Sequence, residues 1–103
     1  MRKSYNKLIR DKIPEIIESS GKTYKLEIAD TKLYREKLHE KLIEEASEFR
    51  DEPCAEEMAD ILEVLEALMS EYGISRDKVL EVKEKKATDR GAFEKRYILD
   101  YVD

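Results

Sequence analysis

Acidic residues recur at short, regular spacings in the middle of the chain, where they could gather around a cation. The candidate metal ligands are Glu45, Glu48, Glu57 and Asp60. Glu45 and Glu48 are three positions apart, and so are Glu57 and Asp60, so the two acids of each pair lie on the same face of a helix. Converging carboxylates repel one another unless a cation neutralises them. All four residues offer oxygen ligands, which indicates a hard ion, Mg²⁺ or alternatively Mn²⁺.

One of these acids, Glu45, lies inside an apolar stripe of its predicted helix. At about 100° per residue it falls between Tyr34 and Leu38 in angle, and Glu48 lies on the edge of the stripe. The common alternative for a glutamate is a solvated surface position, which fits Glu36 but not Glu45. A buried carboxylate is costly unless a cation or a hydrogen-bond donor meets it.

The elements that carry these acids should form an antiparallel helical hairpin. The sequence predicts a helix over residues 30–50, capped by Asp30 or Thr31, and another over residues 53–72 with Pro53 at its first position. The break between them is only a few residues long, and short connections make neighbouring helices antiparallel.

Axial height supports the same grouping of acids. At about 1.5 Å per residue, Glu48 and Glu57 lie roughly 5 Å from the turn, and Glu45 and Asp60 roughly 10 Å. In an antiparallel hairpin the members of each pair would face each other at matching heights. The geometry therefore predicts one shared metal site, and an acid-rich hairpin of a scaffold protein is the alternative.

The predicted fold is all-α and forms a single domain over residues 1–103. Charged residues make up 44% and hydrophobic residues 41% of the chain, a mix that suits long, charge-laced helices. Two further helices are predicted over residues 11–21 and 75–89, and residues 22–29 and 96–102 could be extended. So small a domain buries only part of its apolar surface. We therefore expect dimerisation to complete the hairpin into a helical bundle, as a homodimer or a dimer of dimers.

Charge and cysteine content exclude several classes of protein. The net charge is -5, which disfavours binding to duplex nucleic acid. Cys54 is the only cysteine, so no intrachain disulfide can form and a reducing, cytoplasmic location is expected. The longest uncharged run has four residues, so we expect neither a membrane span nor a secretory signal.

The acidic motifs resemble those of a known family. The segment KLIEEASEF, followed by EEMADILEVLEAL, resembles the EExxE…ExxD signature of the MazG-like nucleotide pyrophosphohydrolases. The segments YNKLIRDKIPEII and RGAFEKRYIL are similar to the flanks of a branch of this all-α superfamily that is like the phosphoribosyl-ATP pyrophosphohydrolases. The resemblance covers nearly the whole chain, although the gap between the two acidic motifs is shorter than in many relatives.

The resemblance implies a Mg²⁺-dependent enzyme that cleaves a nucleoside triphosphate between its α and β phosphates. The products would be a nucleoside monophosphate and pyrophosphate. On the matching positions, the metal ligands are Glu45, Glu48, Glu57 and Asp60. The candidate catalytic residues are Glu44 and Glu45, where Glu44 would orient either the metal ligands or the attacking water.

Basic residues that could hold the substrate phosphates fall into two sets. Arg10 lies with Lys7 in the basic N-terminal segment, whereas Lys83, Lys86 and Arg90 share one face of the last predicted helix. Lysine and arginine are the usual ligands of phosphate groups. A solvated side chain is the alternative for each of these residues in a chain so rich in charge.

Three functions remain open on the sequence. A role in clearing nucleotides from the cellular pool is favoured, and a phosphoribosyl-ATP pyrophosphohydrolase of histidine biosynthesis is a close alternative. A catalytically inactive helical dimerisation or adaptor module belongs to a different class. Such a module has little reason to keep an acid at position 45, inside an apolar stripe.

Overall fold

The computed structural model describes residues 2–103 and contains only helices as regular secondary structure. The four helices are α1 (Ile13–Ser19), α2 (Thr31–Asp51), α3 (Ala55–Tyr72) and α4 (Arg76–Arg90). The all-α prediction is confirmed for the described residues. The segments 22–29 and 96–102, for which the sequence allows an extended conformation, have no regular secondary structure.

Local capping signals explain where the long helices begin and end. The side chain of Asp30 accepts a hydrogen bond from the backbone N–H of Leu33 at 2.8 Å, and Ser75 caps α4 in the same way. Helix α3 ends at Gly73, whose positive φ of 64° lets the N–H of Ile74 return to a carbonyl of the last turn. These boundaries agree with the sequence.

Two predicted helix starts are wrong by one or two residues. Pro53 precedes α3 instead of opening it, because residues 52–54 are all needed to reverse the chain and the extended Cys54 takes the N-cap position. The first helix was predicted to begin at residue 11, with Asp11 as its cap, whereas the N-cap of α1 is Lys12, which makes no side-chain cap hydrogen bond. Neither shift changes which faces of the helices meet.

Helices α2 and α3 form the predicted antiparallel hairpin, and their interface is the core of the chain. At its open end, Arg35 Nε lies 2.8 Å from Glu71 Oε1, and His39 Nε2 lies 2.9 Å from the hydroxyl of Tyr72. The buried apolar residues are few: Leu38 is 2% exposed and Val64 is 7% exposed. This thin core is nevertheless the place where the acidic residues converge.

Outside the hairpin the chain is extended. The radius of gyration is 18.3 Å, whereas a compact domain of this length would have about 13 Å. Every residue of the range 80–103 is exposed, and Phe93 is 98% exposed. The predicted completion of the bundle by dimerisation concerns a second chain, so it stays a prediction. Within residues 2–103, no helix combines the length and apolar character that crossing a membrane requires.

Candidate metal centre

Three of the predicted metal ligands converge across the hairpin. Glu45 of α2 and Glu57 and Asp60 of α3 each place one carboxylate oxygen within 4.8 Å of the other two. Opposite ligands of a Mg²⁺ ion lie roughly 4 Å apart, because each is about 2.1 Å from the metal. Small side-chain movements would therefore bring these oxygens onto one ion. We call these three residues the carboxylate cluster.

Burial distinguishes this cluster from an ordinary acidic surface. Glu45 is only 6% exposed, and its Oε2 atom is buried without a hydrogen-bond partner among the described residues. Oε2 of Glu57 is also buried without a hydrogen-bond partner among the described residues. Buried polar atoms in folded proteins are nearly always satisfied, and an unpaired buried charge is costly. A divalent cation would satisfy both orphaned oxygens at once.

The electrostatics of Glu45 reflect the same burial. Desolvation is the largest effect and raises the pKa of the Glu45 carboxyl above its ordinary value. The negative charges of Glu48 and Asp60 raise this pKa further, while a contact with Lys41 opposes the shift. The Nζ atom of Lys41 lies 3.3 Å from Glu45 Oε1. Lys41 thus neutralises one carboxylate oxygen of Glu45, whereas the other oxygen has no hydrogen-bond partner among the described residues.

Glu48, the fourth predicted ligand, lies outside the carboxylate cluster. Its side chain is exposed, in keeping with its predicted place at the edge of the apolar stripe. It is close enough for its charge to act on both Glu45 and Lys7. Its role as a metal ligand stays a prediction.

Glu44 sits next to the cluster between two lysines. Its carboxylate oxygens lie 3.1 Å from Nζ of Lys7 and 3.5 Å from Nζ of Lys41. Desolvation raises the pKa of Glu44, but the two lysines outweigh it, and the net pKa is lowered. The two lysines therefore favour the ionised form of Glu44.

An open cleft beside the cluster is bounded by the N-terminal segment. The cleft has a volume of about 540 Å³, and Glu45 and Asp60 contribute to its wall. Arg10 also lines it and donates from Nη2 to Asp60 Oδ1 at 2.7 Å. The structure therefore brings Arg10, a predicted phosphate-binding residue, directly to the candidate metal centre.

The other predicted phosphate-binding residues are not at this site. Lys83, Lys86 and Arg90 are exposed on α4, and within the described part of the chain none of them forms an ion pair. Their role in phosphate binding stays a prediction that a single chain does not support.

Of two further basic residues at the site, Lys41 was not predicted, and Lys7 was predicted only as a member of the basic N-terminal set. Lys41 could have been found, because it lies three and four positions before Glu44 and Glu45 on one helix face. Lys7 could not have been placed by spacing, since it is 37 positions from Glu44. Only its position within the basic N-terminal segment gave a signal.

Comparison with known proteins adds no assignment. No protein-family model, no curated protein and no solved structure matches this chain.

Proposed function

We propose that this chain is a Mg²⁺-dependent nucleoside triphosphate pyrophosphohydrolase, which releases a nucleoside monophosphate and pyrophosphate. The observation that carries the proposal is the buried Glu45 carboxylate, which clusters with Glu57 and Asp60 and, like Glu57, has a buried oxygen without a hydrogen-bond partner among the described residues. An all-oxygen cluster of this kind suits Mg²⁺, or Mn²⁺ in its place. The resemblance of the two acidic motifs to the MazG-like enzymes supports the same activity.

The proposed division of labour follows from where each side chain lies. Glu45, Glu57 and Asp60 would hold the ion, and Glu48 could join them from the edge of the cluster. A bound divalent ion supplies charge neutralisation at the phosphates and makes water more acidic. Glu44, held ionised by Lys7 and Lys41, would orient the attacking water.

The cleft and its cations suit a nucleotide. A volume of about 540 Å³ lies within the range of small-molecule sites, roughly 300–1,000 Å³. Arg10 and Lys41 line this cleft, and both can contact phosphate oxygens. Phosphoanhydride cleavage depends mainly on positioning and electrostatic stabilisation, which these residues can provide without a covalent nucleophile.

The proposal includes a homodimer or a dimer of dimers that works in a reducing, cytoplasmic compartment. Large apolar side chains are exposed on α3 and along the C-terminal segment: Met58, Leu62, Phe93, Tyr97, Ile98, Leu99, Tyr101 and Val102. A second copy of the chain would cover such surfaces. The single free Cys54 suits a reducing compartment.

A panel assay tests the activity. Pyrophosphate release would be measured from standard, deoxy and damaged nucleoside triphosphates and from phosphoribosyl-ATP, with and without Mg²⁺. We expect Mg²⁺-dependent release from nucleoside triphosphates, in keeping with nucleotide-pool clearing. Preferential release from phosphoribosyl-ATP would move the assignment to histidine biosynthesis. Release from no substrate would favour the inactive adaptor.

A further inference from the structure

The N-terminal segment, residues 5–12, is held on α2 by two contacts. Nζ of Lys37 donates to the backbone carbonyl of Asn6 at 3.1 Å, and Nζ of Lys7 donates to Glu44 at 3.1 Å. Asn6 has a positive φ of 47°, a conformation that asparagine tolerates better than most residues. The chain therefore turns at Asn6 and runs past the carboxylate cluster in a defined place.

Arg10, farther along this segment, forms an ion pair with Asp60. Asp60 and Glu57 are the two carboxylates that α3 contributes to the cluster, and an ion would need both. The guanidinium of Arg10 lies 2.7 Å from Asp60, yet the Arg10 side chain is 55% exposed and that of Asp60 is 38% exposed. Ion pairs as open to solvent as this one contribute little to stability. The Lys7–Glu44 pair is less exposed, at 41% and 30%, and Lys37 holds the backbone of Asn6 as well. Arg10 can therefore leave Asp60 while these two contacts with α2 keep the segment in place.

The charges around the cluster favour displacement of Arg10 from Asp60 by a divalent cation. Among the described residues, the three carboxylates of the cluster form two direct ion pairs, Arg10 with Asp60 and Lys41 with Glu45. A divalent ion that took Asp60 would displace the guanidinium and leave Arg10 at the wall of the same cleft without its present partner. Arginine binds the oxygens of a phosphate group in a bidentate manner, so the released guanidinium is a ready phosphate ligand.

We propose that Arg10 exchanges partners when the metal binds, leaving Asp60 for the terminal phosphates of the substrate, and that Lys7 is the positioning residue that anchors the segment during the exchange. This inference rests on the proposed function, because it assigns the polyphosphate-binding wall of that same site. It also implies an order of binding, in which the metal binds first, because polyphosphate binds well only to the metal-loaded protein.

The test uses calorimetric titration of the full chain with two probes, Mn²⁺ alone and pyrophosphate in saturating Mg²⁺. For Arg10→Gln we expect opposite changes in the two affinities. Mn²⁺ should bind roughly two- to fivefold more tightly, because a competing surface ion pair is gone. Pyrophosphate should bind about tenfold or more weakly, because a charged hydrogen bond is lost.

Variants at Lys7 separate positioning from general charge. Lys7→Ala should weaken pyrophosphate binding without tightening Mn²⁺ binding as Arg10→Gln does, and Lys7→Arg should restore the wild-type pyrophosphate affinity. Lys25→Ala is the matched control, since Lys25 is exposed and lies outside the segment and the cleft. It should leave both affinities unchanged.

The outcomes separate failure of this inference from failure of the proposed function. If wild type binds Mn²⁺ and pyrophosphate but Arg10→Gln changes neither affinity, or weakens both together, the exchange is wrong while the enzyme assignment stands. If wild type binds neither probe and releases no pyrophosphate in the panel assay, the proposed function fails and this inference fails with it.

Discussion

The α2–α3 hairpin and the region that follows it, residues 76–103, differ in how far they bury their side chains. In the hairpin, Leu38 and Val64 are buried and a carboxylate is drawn in beside them. In the following region only Val79 is partly buried. Helix α4 is mostly charged and has too few apolar residues to form a stripe that could bind the hairpin. In this chain the acid is buried where two neighbouring helices each carry an apolar stripe.

The largest expected effect on stability tests this contrast directly. Leu38→Ala should lower the free energy of unfolding by about 2–5 kcal/mol, because it leaves a cavity in a very small core. The matched change in α4, Leu80→Ala, should lower it by less than about 1 kcal/mol, since Leu80 is already 48% exposed. Urea denaturation of both variants measures the difference, and equal losses would show that α4 is packed as tightly as the hairpin.

The exposed apolar residues of the second region predict association. The mass of one chain is 12.1 kDa, and sedimentation equilibrium at micromolar concentration should give at least twice that mass. The reason is that a single chain leaves Phe93 and the apolar residues after it uncovered. A stable monomer under these conditions would refute the dimer and would mean that these surfaces stay in water.

The cations of α4 test whether the second region takes part in the chemistry. If a partner subunit brings α4 to the cleft, Lys86→Ala and Arg90→Ala should each raise KM or lower kcat by roughly tenfold and leave Mg²⁺ binding intact. Lys25→Ala provides the baseline for loss of an exposed positive charge. Wild-type kinetics in both α4 variants would show that Lys86 and Arg90 are solvated residues without a role in catalysis. The phosphate-binding cations would then come from the N-terminal segment.

Two helix caps should have unequal effects for the same reason. Asp30→Ala removes the cap of α2 and should lower the free energy of global unfolding by about 1 kcal/mol. Ser75→Ala removes the cap of α4, which packs little, and should mainly speed amide hydrogen exchange in the first turn of α4. Chemical denaturation combined with hydrogen exchange distinguishes the two, and a comparable global loss in Ser75→Ala would show that α4 unfolds together with the hairpin.

The parts of the molecule that the sequence predicted well depend on local or periodic signals. Asp30 and Gly73 mark helix ends through hydrogen bonds within a few residues, and helical periodicity was enough to place Glu45 inside. The contact of Lys7 with Glu44 spans 37 positions and has no periodic signal. Pro53 was misplaced because the number of residues that a turn requires is a property of the pair of helices and not of the proline.

The central claim is that Glu45 is buried in order to hold a divalent cation, and its isosteric variant tests this most directly. Thermal melting of wild type, Glu45→Gln and Glu36→Gln, with and without Mg²⁺, would be measured beside pyrophosphate release. Glu36 is an exposed acid of the same helix and serves as the matched control. At a hundredfold excess of Mg²⁺ over its Kd, wild type and Glu36→Gln should gain about 2.7 kcal/mol of stability.

Glu45→Gln should lose this Mg²⁺-dependent gain and all pyrophosphate release. Without metal it should be at least as stable as wild type, because the repulsion within the carboxylate cluster is reduced. Wild-type protein that neither melts at a higher temperature in Mg²⁺ nor releases pyrophosphate from any nucleotide would contradict the account.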